Sequence, residues 1–287
     1  MPQQNKNFKY QIFNHTFSID FPLKNFDPSV KSPDFYIEKG GLRKSLNYSK
    51  PWSLLSLNSA IIEDNEFLAK ISAGKSIKYT FLKDFSKEKK IIKLFHQPIA
   101  YILFQLGYFV LHGSAFANNN NEGVVLCGLS GSGKSQMLYE FSKNYKVISD
   151  DIVATNIEQG RILSPPGLPF ICAQDKQSPA IELDSRERSY INISNHSRKT
   201  TSCIIKKVIF LEWGNSYNLA KLEDEDIFKK LILNSFRPLP QGNDRIAEKQ
   251  FLANISNLVG HAEFYKFTRL KGNIGNSINF LKGFIDD

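Results

Sequence analysis

The chain is poor in sulfur and lacks any long apolar run. It has three cysteines, two methionines and two tryptophans in 287 residues. Cys127, Cys172 and Cys203 are too few and too far apart for a zinc site or a disulfide framework. Free thiols of this kind suit a reducing cytoplasm. The most apolar stretch, Ile99 to Leu111, carries Gln105 and falls short of the roughly 20 residues needed to span a bilayer. It reads as a buried helix running into a buried strand. Behind Met1, the run Pro2-Gln3-Gln4-Asn5-Lys6 is not the apolar core of a signal peptide. The expectation is a soluble, cytoplasmic protein with no membrane partner. An arginine-rich arm, a zinc finger and an aromatic-basic RNA-binding motif are all missing, so nucleic acid is not an expected partner.

Apolar residues make up 41% of the chain and charged ones 23%, ordinary values for a globular protein. The formal charge is +9, which favours an anionic partner. The basic residues are scattered: Lys87, Lys89, Lys90 and Lys93, then Arg186 and Arg188, then Arg198, Lys199, Lys206 and Lys207. That distribution reads as a solvated, lysine-rich surface.

Residues 8 to 95 read mostly as strands. Phe8, Tyr10 and Ile12 alternate with polar neighbours, as do Phe17, Ile19 and Phe21, and Ile77, Tyr79 and Phe81. Pro22, Pro28, Pro33 and Pro51 keep those strands short. From Glu88 to Leu106 the apolar spacing becomes helical, and Pro98 either kinks that helix or starts a second one. Strands are then expected at Tyr108–Leu111, Ser114–Ala117, Gly123–Cys127, Lys146–Ser149 and Ile152–Thr155, with a helix at Lys134–Asn144. Beyond a Pro165-Pro166-Gly167 loop come a strand at Ile204–Trp213 and helices at Asp224–Asn234, Asp244–Leu258 and Asn276–Phe284, with a strand at Ala262–Phe267. The pattern predicts a mixed α/β fold, divided into a small β-rich domain over 1–88 and a larger domain over 89–287.

Gly128-Leu129-Ser130-Gly131-Ser132-Gly133-Lys134-Ser135 fits G-x-x-x-x-G-K-[ST] at every position. The glycines let the backbone curl so that successive N–H groups face phosphate oxygens, and the following helix aims its positive end at the same place. Val124-Val125-Leu126-Cys127 is a buried-strand run directly before the motif, and Gln136-Met137-Leu138-Tyr139-Glu140 opens a helix directly after it. Strand, glycine loop and helix are the context this motif requires. Gly128, Ser130, Gly131, Ser132, Gly133, Lys134, Ser135 and Gln136 are the expected nucleotide-binding residues. Lys134 would bridge the β- and γ-phosphates of ATP, and the Ser135 hydroxyl would hold Mg2+.

Val147-Ile148-Ser149-Asp150-Asp151 places two carboxylates at the end of a short apolar strand, one helix beyond the loop. A magnesium ligand is expected there. One carboxylate can hold metal while the other takes a proton from an incoming hydroxyl. His112, in His112-Gly113-Ser114, lies on the strand before the nucleotide strand, from which its side chain could reach the phosphate pocket.

Together, Leu111-His112-Gly113, Gly128 to Ser135 and Ser149-Asp150-Asp151 resemble the catalytic domain of HPr kinase/phosphorylase. They resemble more closely a branch of HPr-kinase-like proteins that includes the kinases of lasso-peptide maturation, where Pro166-Gly167-Leu168-Pro169 also finds a counterpart. The match is motif-specific from 108 to 170 and architectural elsewhere. The resemblance implies a P-loop kinase domain of the HPr-kinase/PEP-carboxykinase-like type following a β-rich N-terminal domain. It implies a serine kinase in which Lys134 and Ser135 bind Mg-ATP, Asp150 is the base or acid for the seryl hydroxyl, Asp151 assists magnesium and His112 lines the site. The implied partners are ATP and a peptide or protein bearing serine, and such proteins often assemble as homo-oligomers. One position departs: HPr kinase/phosphorylase has glutamate after its glycine-loop serine, where this chain has Gln136, which cannot carry a proton. That family's long signature loop also has no clear counterpart here, which leaves both the phosphorylase half-reaction and HPr as substrate in doubt. Arg186, Arg188 and Arg198 are candidates to touch phosphate or an acidic substrate.

Other readings of the same loop are a small-molecule kinase acting on a serine-like hydroxyl, a P-loop ATPase or GTPase, and a non-catalytic nucleotide-binding regulator. The chain has no Asn-Lys-x-Asp base-reading motif and no Leu-Ser-Gly-Gly-Gln motif. These absences count against a GTPase and a transporter ATPase respectively.

Overall fold

A computed structural model describes residues 7–44, 52–173, 180–181, 188–193, 197–199, 201–236, 244–272 and 274–286. The chain is mixed α/β and divides into two compact units, residues 1–108 with 237–252, and 109–236 with 253–287.

The first unit is built on β1 (Phe8–Ile12), β2 (His15–Ile19), β3 (Asp27–Pro28), β4 (Phe35–Lys39), β5 (Trp52–Ser56), β6 (Ser59–Glu63), β7 (Phe67–Ser72) and β8 (Ser76–Phe81). These form one sheet in the order β3-β1-β2-β4-β8-β7-β6-β5. Alternating apolar side chains point to one face, where Phe17 stacks on Phe35 with ring centroids 5.7 Å apart. Two helices follow, α1 (Lys87–Phe95) and α2 (Gln97–Gln105). Ser86 caps α1, its hydroxyl accepting from Lys89 N at 3.2 Å. Phe95 on α1 meets Phe17 at 5.4 Å and Phe26 at 4.9 Å. Pro98 sits in the first turn of α2, where its missing N–H costs no helical bond, so it starts a second helix. Pro98 through Phe104 are all buried, as expected for a helix that is apolar on every side.

The second unit contains β9 (Phe109–Ala117), β10 (Glu122–Cys127), α3 (Lys134–Phe141), β11 (Lys146–Ser149), β12 (Ile152–Glu158), β13 (Arg161–Ser164), β14 (Phe170–Ala173), β15 (Ala180–Ile181), β16 (Arg188–Asn192), β17 (Cys203–Trp213), β18 (Asn218–Lys221) and α4 (Asp224–Asn234). It is completed by α5 (Arg245–His261), whose first turns group with the other unit, and by β19 (Glu263–Arg269) and α6 (Ile274–Asp286). β10 and β17 are parallel, as are β17 and β19; the apolar runs at 124–127 and 208–211 suit strands buried on both faces, whereas β19 buries mainly Phe264, Phe267 and Arg269. The pairing path closes on itself, from β9 to β12, β13, β17, β10 and back to β9. A separate small sheet has the order β14-β16-β15.

The core between β9 and the C-terminal end of α3 is aromatic. Phe141 of α3 stacks on Phe116 of β9 with centroids 4.5 Å apart, and Tyr145 lies 5.2 Å from Phe116. Ile278, Leu281 and Ile285 of α6 join the same cluster. Truncating a ring such as Phe141 would cost about 3–5 kcal/mol. Among the described residues, no helix is long and apolar enough to cross a membrane.

Candidate functional site

The sequence Gly128–Ser135 connects the end of β10 to the start of α3. Gly128 has φ +148°, and a Cβ there would lie 2.7 Å from Ser132 Oγ and 2.8 Å from Leu211 O. Only glycine fits that turn. Inside the loop, Ser132 N donates to Leu129 O at 3.0 Å. Gly133 is the left-handed N-cap of α3 at φ +84°, and its carbonyl accepts the first helical bond from Met137 N at 2.9 Å.

Lys134 is buried, and its Nζ donates back to Gly128 O at 2.7 Å and Leu129 O at 3.3 Å. The ammonium thus sits within the concave loop. Ser132 Oγ is buried there with no partner among the described residues. An orphaned hydroxyl beside a buried ammonium at the positive end of α3 fits a polyphosphate. Ser130 and Gly131 lie on the exposed rim, while Gln136 is half-buried in the first turn of α3.

Ser135 Oγ donates to Asp150 Oδ1 at 3.0 Å. The same oxygen accepts from Ser114 Oγ at 2.6 Å, and Oδ2 accepts from Cys172 N at 2.9 Å. Burial holds the Asp150 carboxyl above the usual carboxylate range, and the neighbouring charge of Asp151 adds to the rise, against the three donors. The contact sets a hydroxyl, a hard oxygen donor of the kind magnesium takes, beside a carboxylate able to accept a proton.

Asp151 faces different surroundings. It is half-buried with φ +62°, and Ile152 N donates across it to Asp150 O at 2.8 Å. A three-residue turn with a positive φ at its centre is the rare, strained form, and strain of this kind gathers at functional positions. His112, paired with Ile152 in the β9–β12 ladder, places Nδ1 3.3 Å from Asp151 O, which requires the Nδ1–H tautomer because a carbonyl only accepts. Its ring meets Phe236 edge-on at 6.1 Å. The structure therefore brings His112, Lys134, Ser135, Asp150 and Asp151 to one end of the second unit's strands.

Sequence reasoning missed four contributors. Ser114 was legible, since it lies two residues from His112 on a strand and so on the same face. The others carry no local signal. Cys172 N reaches Asp150 because Gly167 N donates to Ile148 O at 2.8 Å, which holds the Pro166–Pro169 loop and delivers β14. Asn234, at the end of α4, accepts from Gly128 N at 2.7 Å and donates to Lys230 O at 2.8 Å. Arg269, at the end of β19, donates from Nη2 to the Ser132 carbonyl.

Of the candidate arginines, Arg186 lies outside the described residues, and for Arg188 only the backbone, in β16, is described. Arg198 is buried, with Nη2 3.4 Å from Gly167 O. Burial pushes the thiols of Cys127 and Cys203 up to about 12, so neither is a nucleophile at neutral pH.

No protein-family model matches the chain, and no curated protein matches it in sequence. Among solved structures the chain is similar to the HPr(Ser) kinase/phosphatase from Coxiella burnetii, with a TM-score of 0.33 and 11% identity, over 62% of this chain and 93% of that one.

Proposed function

We propose that the chain is an ATP-dependent kinase that phosphorylates a serine hydroxyl of a peptide or protein. The observation that carries this reading is the convergence of Ser135 and Ser114 on Asp150, directly behind a strand–glycine loop–helix unit with Lys134 inside the loop. The resemblance of Leu111–Gly113, Gly128–Ser135 and Ser149–Asp151 to HPr-kinase-like proteins supports a serine acceptor, and within them the branch that modifies ribosomally made precursor peptides.

Magnesium-ATP would supply the phosphoryl group, held by the loop amides, Lys134, Ser135 and Asp151. Lys134 neutralises charge on the phosphates. Asp150 accepts the acceptor's hydroxyl proton, a role helped by its raised pKa, because a base works best when its pKa lies near the working pH. His112 anchors the Asp151 backbone through Nδ1–H. Phosphoryl transfer needs little covalent help, so positioning and charge account for most of the catalysis.

Isothermal titration of wild-type chain and Lys134→Ala with Mg-ATP, together with transfer of labelled phosphate to serine-bearing peptides, tests the reading. Wild type should bind and transfer, and Lys134→Ala should keep its fold while losing activity. Equal affinity and turnover in both proteins would reject it.

A further inference from the structure

Arg269 is one of the largest fully buried side chains, 2% exposed. Among the described residues no carboxylate pairs with it. Its guanidinium carbon lies 3.9 Å above the Trp213 ring centroid, its Nη2 donates to the Ser132 carbonyl, and its Nε has no partner among the described residues. Burial lowers its pKa to about 10, which leaves it charged at neutral pH. A buried charge without a counter-ion is expensive, and replacing it with an apolar side chain is often neutral or stabilising. The stability of the chain therefore gives no reason for a cation here.

The position of that cation does. The Ser132 carbonyl and the Gly133 N–H belong to one planar trans peptide, so they point in opposite directions. Holding the carbonyl from behind turns the N–H away from Arg269. A Cβ on Gly133 would strike Nη2, so glycine at 133 also lets the arginine approach. A charge-assisted hydrogen bond to the carbonyl polarises the peptide and strengthens its N–H as a donor.

We propose that Arg269 is the counter-charge of the bound polyphosphate, acting through the Ser132–Gly133 peptide as a positioning residue for the phosphate-binding loop. This rests on the kinase reading of that loop. In low dielectric the arginine's field reaches the phosphates with little screening, and their charge offsets its desolvation.

The test uses the full chain with Arg269→Met, Arg269→Gln and Arg269→Lys, probed with Mg-ADP and with inorganic pyrophosphate. Arg269→Met should have an unliganded melting temperature equal to or above that of wild type. Its affinity for both probes should fall about tenfold or more, the worth of one charge-assisted contact. A residue that only propped up the fold would show the reverse. Arg269→Lys keeps the charge but loses the stacking on Trp213, and should bind both probes more tightly than Arg269→Met; affinity no better than that of Arg269→Met would count against the charge as the cause. If Arg269→Met does not fold, Arg269→Gln, which keeps a donor for the carbonyl, takes its place and should lose affinity to the same extent. Wild-type affinity in folded Arg269→Met or Arg269→Gln overturns the inference alone. Failure of the wild-type chain to bind either probe removes the kinase reading and the inference with it.

Discussion

Ser135 and Asp150 meet at 3.0 Å, the first residue pair to join the helix after the glycine loop to the end of the neighbouring strand β11. The bond links the hydroxyl expected to hold magnesium to the carboxylate proposed to take the substrate proton, so changes at either residue are felt by both.

Asp150→Asn keeps the shape and removes the proton acceptor. Turnover should fall by about two orders of magnitude or more, with Mg-ATP affinity within a few-fold of wild type. Asp151→Asn should instead weaken magnesium dependence and nucleotide binding together. Steady-state kinetics across a magnesium series, paired with calorimetry, separates the two. The opposite pattern would mean that the aspartates exchange roles, and no effect on transfer from either would favour a nucleotide-binding regulator.

Asp150 also predicts a pH dependence. Its folded-state pKa is raised by burial, so the stability it contributes is fully present below the unfolded value of about 3.9 and is lost as pH rises through the folded value. Denaturant midpoints of the unliganded chain should therefore fall between pH 5 and about 8 relative to those of Asp150→Asn, which has no proton to lose there. A wild-type-minus-mutant difference that stays flat or rises with pH would contradict the buried, raised carboxyl.

Asn234 ties the first amide of the loop to α4. Asn234→Ala leaves the Gly128 N–H buried and unpaired, at a cost of about 1–3 kcal/mol. Thermal unfolding should show that loss, and Mg-ATP affinity should fall with it because the loop's entry is no longer fixed. Asn234→Asp keeps the acceptor but places negative charge beside the phosphates, so binding should suffer more than stability. Equal Mg-ATP affinity in all three proteins would show that the clamp plays no part in nucleotide binding.

Gln136 stands where HPr kinase/phosphorylase has a carboxylate, and this predicts a kinase without efficient phosphorolysis. Phosphorylated product incubated with inorganic phosphate should not return to the hydroxyl form with release of pyrophosphate. Rapid dephosphorylation under those conditions would show that the carboxylate is dispensable.

The elements nearest the chemistry were the most legible in the sequence. β11 has the predicted bounds, and Pro98 divides the helical stretch at the residue that physical reasoning marks, because proline is tolerated only in a first turn. Tyr108–Leu111 and Ser114–Ala117 were read as two strands, yet Phe109–Ala117 is the single strand β9, since Gly113 continues the ladder opposite Cys127. The short strands β13 to β16 escaped because two to five residues carry too little periodicity to read. β4, β6 and β7 were foreseen only as part of a strand-rich region, because their alternation became decisive once partners were known. The contacts of Arg269 and Cys172 were not legible at all. They join residues 137 and 22 positions apart, a distance no local pattern spans.

The closed pairing path has a consequence for how the site endures. β9, which carries His112 and Ser114, is bonded to β10 along one margin and to β11 and β12 along the other, with Phe236 N adding a bond to Val110 O. A strand held on both margins inside a ring of strands has no end from which to unzip, so its amides open only when the ring itself breaks. In deuterium oxide these amides should be among the last in the unit to exchange, well after those of the exposed rim at Leu129 to Gly131. On this expectation the acid–base groups stand on backbone that opens late, beside a loop rim that faces solvent.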